Sequence, residues 1–170
     1  MKKIPTSARA LVRRYHDCRR EHGPQSAAAL QLAQLLADRA SDDCDWRKAG
    51  LWFGRMLDPA DGAALAGNAR NYLRLSHALR QLCALRLREK NYAQAQAYAQ
   101  RDLELVGKYA GPDHELTATS LENLADLAEA TGDRPAARAW RERLVAVLQR
   151  NYGDRDPRVK FARAQLQSGS

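Results

Sequence analysis

Residues 111–133 read GPDHELTATSLENLADLAEATGD. A Gly-Pro turn opens the stretch and Thr131-Gly132-Asp133 closes it. Between them Leu121, Leu124 and Leu127 recur every third residue, a spacing that gathers apolar side chains on one face of a helix. Forty-two residues after Gly111 the chain reads GDRDPRV, a second glycine turn in the same phase.

That distance is a register. Residues 77–114 lie on 119–156 without a gap, placing Leu79 on Leu121, Leu82 on Leu124 and Leu85 on Leu127. Ala95 falls on Ala137, Ala97 on Ala139, Tyr98 on Trp140, Arg101 on Arg143 and Gly111 on Gly153. Leucines alone match by chance, but helix, turn, helix and glycine turn do not keep one phase by accident. A fixed period between 20 and 50 residues signals a solenoid, because one helical hairpin cannot bury both of its apolar faces and must stack on a neighbour.

Composition agrees. Ala and Leu supply 54 residues, against 10 for Ile, Val and Thr together. Straight-chain residues and Ala lose little side-chain freedom in a helix, whereas β-branched residues favour strands. No window holds 18 uninterrupted apolar residues, so no membrane span is expected. The start, MKKIPTSARALVRRY, has the charge of a signal peptide, but Arg9, Arg13 and Arg14 break its apolar core, and the chain reads as cytoplasmic. Cys18, Cys44 and Cys83, odd in number and widely spaced, read as buried or half-buried thiols rather than a disulfide framework.

Glycine and proline mark where helices stop. Residues 6–22 carry Leu11, Val12 and Tyr15 at helical spacing and end at Gly23-Pro24. Ser26 is the expected N-cap of a helix to about Arg39, with a turn at Ser41-Asp42-Asp43. A short helix from about Asp45 ends at Asp58-Pro59, and Pro59, Gly62 and Gly67 suggest a loop. The expected fold class is all-α: one α-solenoid of antiparallel hairpins over 1–170, with about eight helices. Its parts are a basic N-terminal helix (1–25), a degenerate helical pair and loop (26–68), repeats over 69–110 and 111–152, and a capping helix with a frayed tail (153–170).

The unit LENLADLAEATGDRPAARAWRERLVAVL, followed by YGDRDP, resembles a tetratricopeptide repeat, specifically the 42-residue kind of kinesin light chains and many bacterial proteins. Leu121, Asn123, Leu124, Ala125, Gly132, Asp133, Ala137 and the turn Gly111-Pro112-Asp113-His114 carry the resemblance. The match is good over 111–157, fair over 69–110 and poor over 26–58, where the spacing needs an inserted residue. The resemblance implies a non-catalytic protein–protein interaction module, an adaptor or chaperone-like, whose first helices line a concave groove for a partner segment. It places Thr119, Glu122, Asn123, Asp126 and Glu129 in that groove, with His77, Arg80, Gln81, Ala84 and Arg88 from the preceding unit. Amides such as Asn123 and Gln81 can donate to and accept from a peptide backbone at once. Arg80 and Arg88 suit acidic side chains on a protein or peptide partner. The groove is then basic on one half and acidic on the other.

Two other readings compete. Net charge is +8, and residues 1–25 carry +5 of it (seven Lys/Arg against Asp17 and Glu21). Arg9, Arg13, Arg14, Arg19 and Arg20 there form a basic patch suited to nucleic acid or another anionic surface, or simply to the solvated face of a capping helix. Val159 and Leu166 suggest an apolar end at which two copies could associate. His16, Cys18 and His22 lie close in sequence but supply too few aligned ligands for zinc, so no metal or cofactor is expected. His114 lies beside Asp113 and Glu115 within the repeat's own turn phrase, which points to structure rather than catalysis.

Overall fold

The computed structural model describes residues 7–24, 26–57 and 71–168. Among these the chain forms eight α-helices and no strand: α1 (Ala8–His22), α2 (Ala27–Asp42), α3 (Trp46–Leu57), α4 (Asn71–Arg88), α5 (Tyr92–Tyr109), α6 (Glu115–Ala130), α7 (Arg134–Tyr152) and α8 (Pro157–Ser168). The loop expected around Pro59, Gly62 and Gly67 lies outside the described residues, as do Gly169 and Ser170. Contacts gather into two compact units, Met1–Leu85 and Arg86–Ser170.

In the first unit α1 packs on α2 and α2 on α3. Leu11 and Tyr15 of α1 are buried, and the Tyr15 ring meets Trp52 of α3 edge-on at 5.1 Å. Phe53 of α3 meets His77 of α4 in the same way at 5.6 Å. In the second unit α5 packs on α6, α6 on α7 and α7 on α8. Ala95 and Ala137 are buried there, as small residues must be where helices approach closely.

One turn builds three hairpins. After α2, α4 and α6 the chain takes a left-handed residue, Cys44 (φ 56°), Lys90 (φ 57°) and Gly132 (φ 77°). The amide of each bonds back three residues, to Ser41, Leu87 and Glu129. The next amide reaches back five, from Asp45 to Ala40, Asn91 to Arg86 and Asp133 to Ala128, each at 2.8 Å. This pair of bonds satisfies carbonyls that a helix end otherwise leaves open. Asp45, Asn91 and Asp133 then cap the next helix, accepting from the amides of Lys48, Gln94 and Ala136. The turn between hairpins also recurs. Gly23, Gly111 and Gly153 have φ of 86°, 102° and 77°, and each carbonyl accepts from the amide three residues on, at Ser26, His114 and Asp156.

Burial follows the same register. Residues 29, 30, 32, 33, 36, 37 and 40 of α2 are buried. Adding 88 gives 117, 118, 120, 121, 124, 125 and 128, all buried in α6. Subtracting 42 from those gives 75, 76, 78, 79, 82, 83 and 86, of which all but 86 are buried in α4. The hairpin α2–α3 thus repeats the pattern of the later two, with no insertion between its glycine turn and its hairpin turn: Gly23 to Cys44 and Gly111 to Gly132 are the same distance. Two periods of 42 fall four short of 88, and those four residues lie between the starts of α3 and α4.

Two expectations need correction. Ser41 and Asp42 belong to α2 rather than to a turn, because the turn's hydrogen bonds start from Ala40 and Ser41. Cys44 is exposed, since it occupies the left-handed position at the hairpin tip, whereas Cys18 is half-buried and Cys83 buried. On α8, which packs on α7, Val159 is fully buried, while Leu166 is half-buried and Phe161 is 62% exposed, so the expected apolar end is covered at Val159 and open at Phe161. Lys160, Arg163 and Gln167 occupy the positions at which α6 buries Ala118, Leu121 and Ala125, giving α8 the polar face of a cap.

Candidate partner-binding face

The first helix of each hairpin has one face left over after packing. On α6 it carries Thr119, Glu122, Asn123, Asp126 and Glu129, all exposed or half-exposed between buried neighbours. The register puts His77, Arg80, Gln81 and Ala84 of α4 at the positions of the first four, and Gln31, Gln34, Leu35 and Asp38 of α2 there as well. Arg88 is exposed at the end of α4, one position off the register of Glu129, which falls on Leu87.

Within the first unit, α1 and α2 with Arg74 of α4 line an open cavity of about 840 Å³. Gln31, Gln34, Leu35 and Asp38 form its α2 wall. His77 Nε2 lies 3.4 Å from Asp38 Oδ1, tying the faces of α2 and α4 together. Leu35 is 37% exposed, next to the buried Leu32 and Leu36. Among the described residues the side chains of Gln31, Gln34 and Gln81 make no hydrogen bond to the protein. Arg80 Nε is buried without a hydrogen-bond partner among them.

The α6 face is acidic. Glu122, Asp126 and Glu129 follow one another at i, i+4 and i+7, a spacing that stacks side chains in one row. Desolvation, then the neighbouring Asp126, raises the Glu122 pKa above its usual range. Desolvation is also the main cause that raises Asp126, with Glu129 adding to it and Arg141 opposing. Glu129 is held below its usual range by the hydrogen bond from Arg141. Arg141 Nη1 donates to Glu129 Oε1 at 2.5 Å, and its own side chain is only 8% exposed. Asn123 sits half-buried in this row, with no side-chain hydrogen bond among the described residues.

Arg141 was not among the side chains expected here. It belongs to α7, and the signal that marks it is a break in the repeat: its counterpart 42 residues earlier is the buried Ala99. The buried Ser120–Asp102 hydrogen bond (2.7 Å) is a second break, where the register has Ala78 and Leu144. His114 is the N-cap of α6, its Nδ1 accepting from the Leu116 amide at 3.1 Å.

On α1, Arg9, Arg13, Arg19 and Arg20 are exposed and Arg14 is half-exposed. Arg20 pairs with Asp17. His16 and His22 are exposed, while Cys18 lies 3.9 Å from Ser26 Oγ. No three His, Cys, Asp or Glu side chains among the described residues are grouped to hold a metal ion. No described helix is long and apolar enough to cross a membrane.

Residues 74–150 match the tetratricopeptide-repeat family. The fold is similar to that of BtubC (BKLC) from P. vanneervenii, at 17% identity and a TM-score of 0.64, covering 95% of this chain and 62% of that one. The chain therefore spans less than two-thirds of that structure's length. It is also similar to nearly identical TPR-like repeats assigned to a kinesin light chain of Podosopora anserina, at 14% identity and a TM-score of 0.70, covering 95% of this chain and 74% of the other. No curated protein matches the sequence. Tetratricopeptide arrays are in general protein–protein interaction modules, their stacked hairpins creating an extended binding surface. Residues 74–150 thus carry tetratricopeptide repeats, within an all-α solenoid whose fold is similar to that of the kinesin light chain repeats.

Proposed function

We propose that the protein is a non-catalytic adaptor or chaperone-like module that holds an extended segment of a protein partner on the first-helix faces of its hairpins. The observation that carries this reading is the pair Gln81 and Asn123. Both are half-buried amides at the same repeat position, and neither is engaged by its own chain among the described residues. An amide in that state costs free energy unless water or a ligand satisfies it. A peptide main chain supplies a donor and an acceptor together, which suits an amide side chain well. On α4 Arg80 adds a cation for an acidic side chain, and on α6 Glu122 and Asp126 relax when a basic one approaches. Binding in a cytoplasmic setting fits three cysteines that are all free thiols.

The test is recovery of partners on immobilised protein, wild type against Arg80→Glu with Asn123→Ala. Both side chains are at least partly exposed, so the double variant keeps its fold by circular dichroism. Loss of the specifically eluted partners is the expected result; undiminished recovery contradicts the reading. Replacing the exposed Arg9, Arg13, Arg19 and Arg20 by Gln removes the basic patch on α1 while keeping its buried Leu11 and Tyr15. Partner binding survives these substitutions, whereas any salt-sensitive binding to nucleic acid through the four arginines disappears.

A further inference from the structure

The start of α7 differs from the equivalent part of α3 and α5. At the register positions 134, 138 and 141 the last hairpin has three arginines, where α5 has Tyr92, Gln96 and Ala99 and α3 has Trp46, Gly50 and Phe53. In the first hairpin these positions serve packing: Phe53 meets His77, and a Cβ placed on Gly50 would meet the Leu85 side chain at 3.4 Å. In the last hairpin the corresponding neighbour is α8, which has 12 residues where α6 has 16. A cavity of about 400 Å³ lies there, lined by Arg134, Arg138, Arg141 and Glu129 together with Leu166 and Ser168 of α8.

Residues at i, i+4 and i+7 share one face of a helix, so the three guanidinium groups converge on that cavity. Arg141 is buried and oriented by Glu129. Arg138 Nε is bonded to Glu142 on the same helix at 3.0 Å, which steadies the plane of its fork. Arg134 is exposed and has no carboxylate partner among the described residues. Three arginines against Glu129 and the Glu142 that pairs with Arg138 leave the site with a formal charge of +1, in a volume that suits a small ligand. The first turn of the 19-residue helix adds the positive end of its dipole.

We propose that this pocket binds a phosphoryl group, a phosphate monoester or free phosphate. A tetrahedral oxyanion complements the positive lining, and its oxygens match the planar forks of several arginines at once. The pocket shares only Glu129 with the partner-binding face, and the proposal does not depend on that face being occupied.

The full chain, labelled on its arginine side chains, is titrated by NMR with inorganic phosphate, O-phosphoserine, acetate and sodium chloride at matched ionic strength. Saturable shifts of Arg134, Arg138 and Arg141 signals with phosphate or phosphoserine, exceeding those with acetate or chloride, are the expected result. Tighter binding of phosphoserine assigns the group to a modified side chain, and tighter binding of phosphate to the free ion. Arg134→Gln with Arg138→Gln, two exposed positions, weakens binding about tenfold or more, while Arg9→Gln with Arg13→Gln leaves it unchanged. Binding fades below about pH 6, where the dianion takes up a proton. Shifts that fail to saturate, that acetate or chloride reproduces, or that persist in the Arg134/Arg138 variant overturn the proposal.

Discussion

The hairpins α2–α3 and α6–α7 bury the same positions with different side chains. Leu36 corresponds to Leu124 and Ala37 to Ala125, but Ala33 corresponds to Leu121 and Leu32 to Ser120. The first hairpin packs with aromatic contacts, Tyr15 on Trp52 and Phe53 on His77. The last uses buried polar links, Ser120 with Asp102 and Arg141 with Glu129. What the two share is where chain meets chain; what they do not share is how the contact is filled. A repeat fold requires apolar or well-satisfied side chains at the shared positions, and leaves the rest open to function.

The largest effect sharpens the shared part. Leu36→Ala and Leu124→Ala remove fully packed side chains at one register position, and each lowers stability by about 2–5 kcal/mol in urea unfolding. A cost under about 1 kcal/mol for Leu36→Ala alone breaks the equivalence of the two hairpins.

The next effect probes the unshared part. Glu129→Gln leaves Arg141 buried without its carboxylate and costs about 1–3 kcal/mol at neutral pH. The sign with pH is definite. Glu129 has a folded pKa below its ordinary 4.5, so its stabilisation is present above that value and is lost as pH falls through the lowered one. Denaturation midpoints of wild type and Glu129→Gln therefore converge in acid. A gap that stays constant down to about pH 2, below the carboxylate range, shows that the pair does not contribute through its charge.

Turn chemistry gives a smaller difference of opposite sign at equivalent sites. Gly132→Ala puts a Cβ on a left-handed residue and costs about 1–2 kcal/mol. Lys90→Gly and Cys44→Gly relieve that strain but loosen the unfolded chain, for a net gain of up to about 1 kcal/mol. A loss of stability in both glycine variants contradicts one shared turn.

The smallest effect lies on the open face. Glu122→Gln removes a like charge one turn from Asp126 and raises stability by about 0.2–0.5 kcal/mol. Because the Glu122 pKa is raised in the folded state, the carboxylate's penalty holds at neutral pH and vanishes as pH falls below its ordinary 4.5. Thermal melts at two pH values measure it; an equal gain at both excludes an electrostatic origin.

These contrasts explain what could be read from residues alone. The α4–α5 and α6–α7 hairpins were legible because Leu79, Leu82, Leu85, Ala95 and Gly111 recur at 42 with no gap. The α2–α3 hairpin was harder to see for two reasons. Its offset of 88 is not a multiple of 42. Small residues, Ala29, Ala33, Ala37 and Ala40, carry much of its burial and give little periodic signal. The face residues follow from the resemblance to tetratricopeptide repeats, and each is exposed or half-exposed. The role of Arg141 does not follow from it, because a buried arginine is stabilised by a partner from another helix, and helical periodicity is silent about tertiary pairs.

The central claim is that the first helix of each hairpin, not the second, meets the partner. Hydroxyl-radical footprinting of the protein with and without a recovered partner tests it directly. Leu35 on α2 and His77 on α4 lose reactivity in the complex, while Leu51, 52% exposed on α3, keeps its own. Protection of Leu51 with Leu35 and His77 unchanged contradicts the account.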